Sequence, residues 1–271
     1  MSKLYLVPDV KDMERMSKLA DAYGCAFEYN DFFIPEVMDD PAKQTELIAD
    51  YSGYRHGFGQ DTIHGAFLDV TIHSSDPLIR DASVQRVRQT MEIAKRMGVH
   101  GVVFHTGRLF GFREPGYLDN WKKQNVAFFT GLAQEYPGQQ IFMENMFDEA
   151  PDILTRLAEE MRGVENFGIC LDYAHAAISG CPGREWIEAL SPYIRHIHIN
   201  DNDLTGDQHR PVGSGSIDWQ EFDSLVREYG IDASVLVEVN GFEAQKESLE
   251  YMKQHGIYPM EKKETQSVFT I

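Results

Sequence analysis

The chain has 271 residues, with 25 Lys and Arg against 43 Asp and Glu, a net charge of −18, and 42% hydrophobic residues. This is a globular composition whose scattered basic residues and negative balance argue against nucleic acid as a partner, since a phosphate backbone would be repelled. Apolar runs reach four or five residues, as in Gly101-Val102-Val103-Phe104, against the roughly 20 a membrane helix needs, so no membrane span is expected.

In chain order, the predicted strands are residues 4–7, 26–30, 62–67, 101–106, 140–145, 167–172, 194–201 and 235–240. They alternate with predicted helices over 12–23, 41–51, 79–97, 118–136, 151–161, 183–190, 219–229 and 242–255. Gly24, Gly98, Gly163, Gly230 and Gly256 follow helix ends, where a left-handed residue is tolerated. The strand–helix unit therefore repeats eight times. Such alternation requires parallel strands with helical crossovers, and this number predicts an α/β fold, a closed (β/α)8 TIM barrel in a single domain over residues 1–271. An open doubly wound sheet is the alternative, weakened because no Gly-rich phosphate fingerprint follows the first strand. Residues 261–271 form a C-terminal tail ending in Val268-Phe269-Thr270-Ile271. That apolar end is expected to dock on the barrel floor, to pack against a second subunit as in a homodimer, or to fray. Lys11 and Asp12 interrupt the start before a signal-peptide core forms, and Cys25, Cys170 and Cys181 lack short paired spacing. A cytoplasmic protein with reduced thiols is the expectation.

In a parallel barrel the C-terminal strand ends converge on one mouth. The third to eighth predicted strands bring His64, His105, Glu144, Asp172, His198 and Glu238 there. One such residue alone is ordinarily a rim histidine or a helix N-cap; six at one topological position are hard to obtain from capping and solvation. With Asp207, four carboxylates would crowd a small volume, which protons or cations must relieve. Interleaved imidazoles and carboxylates suit Zn2+, Mn2+ or Fe2+. His175 follows Asp172 by three positions, and Asp207 and His209 are two apart in a segment that ends in Gly213-Ser214-Gly215. Alternate residues of an extended loop point the same way, so Asp207 and His209 are expected to share an ion with His175.

The blocks Ile63-His64-Gly65, Phe104-His105-Thr106-Gly107, Met143-Glu144-Asn145, Cys170-Leu171-Asp172-Tyr173-Ala174-His175, His198-Ile199-Asn200-Asp201, Asp207-Gln208-His209 and Val237-Glu238 resemble signatures of the xylose-isomerase-like TIM-barrel superfamily. That group joins sugar isomerases and epimerases to the endonuclease IV family, AP endonuclease family 2. The resemblance spans about residues 26–255. It implies one to three divalent ions: one on His64, His105 and Glu144; a second on Glu144 as bridge with Asp172, His198 and Glu238; a third on His175, Asp207 and His209. Single-metal epimerases resemble only the Glu144, Asp172, His198 and Glu238 subset, with the two glutamates also moving protons, so Glu144 and Glu238 are the candidate catalytic residues.

Equipment for DNA is missing from the sequence. The loop of residues 31–40 is acidic and apolar, and Arg108 and Arg113 alone bring positive charge to the loop after the fourth strand. Two arginines suit one phosphate or carboxylate better than a backbone of many. A small polyhydroxylated substrate, phosphorylated or not, is therefore expected, with Arg108, Arg113 and Arg210 as anion anchors. Phe67, Phe110, Phe112 and Trp121 would cover the apolar face of a sugar, or else pack the barrel. The leading expectation is a metal-dependent sugar or sugar-phosphate isomerase or epimerase working through an enediolate. An endonuclease IV-like trinuclear phosphoesterase is the second, and a non-enzymatic sugar-binding barrel the third.

Overall fold

Eight short parallel strands close on themselves in sequence order: β1 (Leu4–Leu6), β2 (Ala26–Tyr29), β3 (Thr62–His64), β4 (Gly101–His105), β5 (Gln140–Glu144), β6 (Phe167–Asp172), β7 (Ile194–Ile199) and β8 (Ser234–Val237). β8 returns to β1 with Tyr5 opposite Leu236, which seals the expected TIM barrel. The computed structural model describes residues 2–55 and 57–261; the predicted apolar end at 268–271 lies outside the described residues. Among the described residues, no helix is long and apolar enough to cross a membrane.

The helices are α1 (Met13–Tyr23), α2 (Pro35–Met38), α3 (Pro41–Ser52), α4 (Pro77–Met97), α5 (Pro115–Glu135), α6 (Asp152–Glu160), α7 (Tyr173–Ile178), α8 (Gly183–Leu190), α9 (Trp219–Glu228) and α10 (Phe242–His255). Two starts come earlier than apolar periodicity indicates. α4 and α5 open on proline, behind Asp76 and Glu114, whose carboxylates accept the Leu78 and Tyr117 N–H groups. Proline is suited to that first position because its φ is preset and its missing N–H has no helical partner there. Two short helices, α2 and α7, were not expected. α7 arises because the Asp172 carboxylate caps it, Oδ1 accepting the His175 N–H at 2.6 Å. β3 ends three residues before its predicted end: a last bond from Gly65 N–H to the Val103 carbonyl at 2.8 Å closes the ladder, and the chain turns outward.

Period-two alternation divides the strands between two environments. Outward residues such as Phe27, Phe104, Ile141, Ile169 and Val235 pack with the helices into the main core. Two small inward clusters, Tyr5 with Val7, Ala26 and Leu236, and Val103 with Phe142 and Cys170, fill part of the barrel interior. Beyond them the inward positions turn polar: Glu28, Thr62 and His196 are buried, followed by the residues at the mouth. Stability thus rests on the sheet–helix layer, and the upper interior is left to polar chemistry.

Candidate functional site

The strand ends deliver the side chains. β3, β4, β5 and β6 terminate in His64, His105, Glu144 and Asp172; His198 is the penultimate residue of β7, and Glu238 follows β8. Glu238 still belongs to the ladder, since its N–H reaches the Ile199 carbonyl at 2.9 Å. His175 comes from the first turn of α7, while Asp207 and His209 come from the long loop after β7. The geometry brings all nine together in three groups, the first two sharing Glu144, with the donor atoms of each group within 4.8 Å of one another: His64, His105 and Glu144; Glu144, Asp172, His198 and Glu238; His175, Asp207 and His209.

Glu144 stands between the first two groups. Its Oε2 lies 3.1 Å from His105 Nε2 and 3.6 Å from His64 Nε2, and its Oε1 lies 3.4 Å from His198 Nδ1. Glu238 Oε2 is also 3.4 Å from His198 Nδ1. Asp207 Oδ2 lies 3.4 Å from His175 Nε2 and 3.1 Å from His209 Nε2. The opposite ring nitrogens are tied back: His64 Nδ1 to the Gly65 carbonyl at 3.0 Å, His175 Nδ1 to the Asn145 carbonyl at 2.9 Å and His209 Nδ1 to the Glu238 carbonyl at 2.8 Å. Each such contact takes the N–H and leaves the other nitrogen's lone pair toward the mouth, as for metal-binding imidazoles.

Whether the donors suit an ion is decided by what they lack. Both Glu144 oxygens, Asp172 Oδ2, Glu238 Oε2 and His198 Nδ1 are buried and make no aligned hydrogen bond. Each unsatisfied buried group costs about 1–3 kcal/mol, so five in one place favour a cation that accepts all their lone pairs. Asp172 does both jobs assigned to it by competing readings of the sequence: Oδ1 caps α7 and Oδ2 faces the donors. Protonation follows the same crowding. Burial alone would raise Glu144, but His105 and His198 hold it well below the usual carboxylate range. Burial, opposed by His175 and reinforced by Glu238 and Glu144, pushes Asp172 up to about 7. Burial would lower His209, but Asp207 and Glu238 raise it to about 10.

The loop carrying Asp207 and His209 is not extended, as alternation suggested. His209 has φ 46°, a left-handed conformation that costs a non-glycine residue roughly 1–3 kcal/mol. The loop is fixed by a knot around Asp201, whose backbone pairs with Arg210 in an antiparallel bridge. The Asp201 carboxylate accepts from Gly213 N at 2.9 Å, Ile217 N at 3.2 Å and Trp219 Nε1 at 2.8 Å. Gly215 must lack a side chain there, because a Cβ would lie 2.3 Å from both the Asn202 carbonyl and Asp201 Oδ1.

The expected substrate contacts divide. Phe67 stands at the mouth, its ring 5.1 Å from that of His64 and 4.8 Å from that of His105. Trp121 does not reach it: the residue is fully buried in α5, where its indole N–H donates to the Thr106 carbonyl at 2.8 Å, so it packs the barrel. Arg108 is not free to anchor an anion, because its buried guanidinium pairs with Asp148 at 2.8 Å and with Glu149. Arg113 pairs with Glu149 and Asp152, and Arg210 with Asp203. Phe110 is exposed and Phe112 packs edge-on to Tyr117. The cavity over the donors, about 180 Å³, is lined additionally by Asn30, Phe33, Met146 and Phe147, none of which the sequence had marked. Glu28, fully buried under His198, was missed as well, although its alternation with Phe27 and Tyr29 marks it as inward.

The family model described as xylose isomerase-like TIM barrel matches residues 10–255. An uncharacterized protein of Methanocaldococcus jannaschii is 27% identical over 205 residues, covering 71% of this chain and 69% of its own. A probable endonuclease 4 of Protochlamydia amoebophila is 26% identical over 155 residues, or 49% of this chain; the match spans 54% of that relative's length. Among solved structures, a D-tagatose 3-epimerase-like protein has TM-score 0.73 at 23% identity, over 94% of this chain and 97% of its own. The TTHB071 protein from Thermus thermophilus, soaked with ZnCl2, has TM-score 0.73 at 21% identity, over 93% and 96%. At these identities, the likeness to solved structures is one of fold.

Proposed function

The chain belongs to the xylose isomerase-like TIM barrel family, and from that membership we propose that its mouth is the active site of a divalent-metal-dependent sugar isomerase or epimerase. The observation that carries this reading is the position of Glu144 and Glu238, both 3.4 Å from His198 Nδ1 beside a cavity of about 180 Å³ that Phe33, Phe67 and Phe147 help to line. The space is below the roughly 300–1,000 Å³ of drug-sized pockets and suits a small polyhydroxylated molecule. The rings offer an apolar wall to the C–H face of a sugar. Glu144 and Glu238, each held below the usual carboxylate range by neighbouring imidazoles despite burial, stay ionised near neutrality. Each is therefore ready to take a proton from a carbon beside a carbonyl, a role worth about 10²–10⁴ in rate. Removal by one carboxylate and return by the other would invert that carbon; return to the adjacent carbon would isomerise.

Glu144, Asp172, His198 and Glu238 would hold the central ion, with His64 and His105, and then His175, Asp207 and His209, providing for up to two more. Their mixed imidazole and carboxylate character suits Zn2+, Mn2+ or Fe2+. When bound, such a cation polarises a carbonyl and acidifies the neighbouring C–H. Because Arg108, Arg113 and Arg210 each engage carboxylates of the chain, an unphosphorylated sugar is favoured over a sugar phosphate. The complete nine-donor set and the probable endonuclease 4 relatives favour a second reading, a phosphoesterase of the endonuclease IV type. Incubation of the Mn2+-, Co2+- or Zn2+-loaded protein with ketoses in D2O separates the two. Deuterium at the carbon beside the carbonyl, with an epimer or isomer as product, is the expected result. Cleavage of an abasic-site duplex without any such exchange would transfer the assignment to the hydrolase.

A further inference from the structure

One layer below the mouth lies a buried acid for which neither proton transfer nor ion ligation has a use. Glu28 is 0% exposed, and no Lys or Arg among the described residues pairs with it. Its partners are two imidazoles and a hydroxyl. Glu28 Oε1 lies 3.2 Å from His198 Nε2, Oε2 lies 3.3 Å from His196 Nε2, and the Thr62 hydroxyl donates to Oε2 at 2.7 Å. His196 is braced in turn by Ser234, with Nδ1 and Oγ 2.6 Å apart, and its ring stacks on Phe142 at 5.3 Å. Four strands, β2, β3, β7 and β8, thus contribute to one buried polar column.

Leaving a carboxylate this deep without a fixed cation is costly unless its oxygens are engaged. The arrangement becomes intelligible from His198. An imidazole offers an ion only one nitrogen, and which one depends on where the other nitrogen's proton goes. Nε2 lies 3.2 Å from Glu28 without an aligned hydrogen bond, and Nδ1 faces Glu144 and Glu238, so an ion taken by Nδ1 would leave the ring proton on Nε2 beside the Glu28 carboxylate.

We propose that Glu28 is a positioning residue that fixes the tautomer and ring orientation of His198, and thereby sets the affinity of the central Glu144–Asp172–His198–Glu238 ion site. Thr62 and the His196–Ser234 pair hold Glu28 in place. The inference rests on the metal site proposed above and adds a selectivity to it. The His175–Asp207–His209 group has its own backbone anchors, at Asn145 and Glu238, and does not depend on Glu28.

The test is a Co2+ and Zn2+ titration of the full chain against a competing chelator, for wild type and Glu28→Gln, read by visible absorption and by anomalous diffraction at each site. Glu28→Gln preserves size but replaces one accepting oxygen with an amide donor. It is expected to weaken the central site by about 10–100-fold, the usual cost of losing the group behind a ligating histidine. The Co2+ spectrum should change and the His175–Asp207–His209 site should keep its affinity. In 15N spectra the His198 proton should sit on Nε2 in wild type and become distributed between both nitrogens in the variant. Thr62→Val, which removes only one bond to Glu28, should shift the same site in the same direction by a smaller factor; it serves if Glu28→Gln does not fold. Equal central-site affinities in wild type and both variants would overturn the inference alone. Wild type that binds no ion at the central site would remove the metal reading together with it. An ion seated on Glu28 itself, with Cys170 and His196, whose donors lie close to those of His198, would make Glu28 a ligand and overturn the positioning role.

Discussion

Two donor groups at the mouth are built from different materials. Glu144, Asp172, His198 and Glu238 sit on or directly after strands and are at most 9% exposed. His175, Asp207 and His209 come from a helix start and a loop, with Asp207 and His209 side chains 22% and 32% exposed. The central group is fixed by the barrel's own hydrogen-bond ladder, so its crowding is inseparable from the fold. The peripheral group is held by local contacts that can change without opening the sheet. An ion at the centre should therefore affect stability and chemistry together, and one at the periphery should be separable from the fold.

The largest effect expected from this contrast is that of Glu144→Gln. Because Glu144 is shared between two buried groups, the variant should lose ions from both and reduce C–H exchange by about 10²–10⁴. Elemental analysis and deuterium incorporation measure the two losses; retention of both buried ions would break the contrast. Next comes removal of the ions. At 100-fold excess over Kd, one native-state ion contributes about 2.7 kcal/mol, equivalent to roughly 5–10 °C in Tm for a chain of this size. Stripping the central ion should cost that much. The ion-free protein should also become less stable as pH rises above about 4. Burial raises Asp172 to about 7, and Asp207 with Glu238 raises His209 to about 10 against burial. Groups raised in the folded state contribute stability that is complete below their unfolded pKa and disappears as pH rises through the folded value. The loss should span pH 4–7 for Asp172 and 6.5–10 for His209. Ions displace those protons, so the loaded protein should not follow this slope in a thermal melt series. The smallest effect is expected for His209→Asn, which tolerates a left-handed backbone. It should lose the peripheral ion while the central ion stays bound, as elemental analysis will show; loss of both ions would mean that the two groups are coupled.

How much of this was legible in the sequence depended on where the information lies. Strand-end donors could be read because alternation and the barrel topology together place His64, His105, Glu144 and Asp172 on one rim. The partners of the arginines could not, because residue type does not reveal a distant partner: Arg108 meets Asp148 and Glu149, 40 and 41 positions away. Trp121 is fixed by the inward face of α5 rather than by its proximity in sequence to the mouth loop. α7 spans six residues, too few for apolar periodicity to show, although the Asp172 cap was present in the sequence. Glu28 was visible as a lone acid in an otherwise apolar and aromatic strand, but it lies below the strand ends from which the mouth residues were read.

The knot at Asp201 has a kinetic consequence. Since its carboxylate gathers the turn behind the β7 loop and its backbone clasps Arg210, Asp207 and His209 are held in place by the chain itself. If that group takes a cation, as proposed, capture would require little chain ordering, leaving the shedding of hydration water as the slow step.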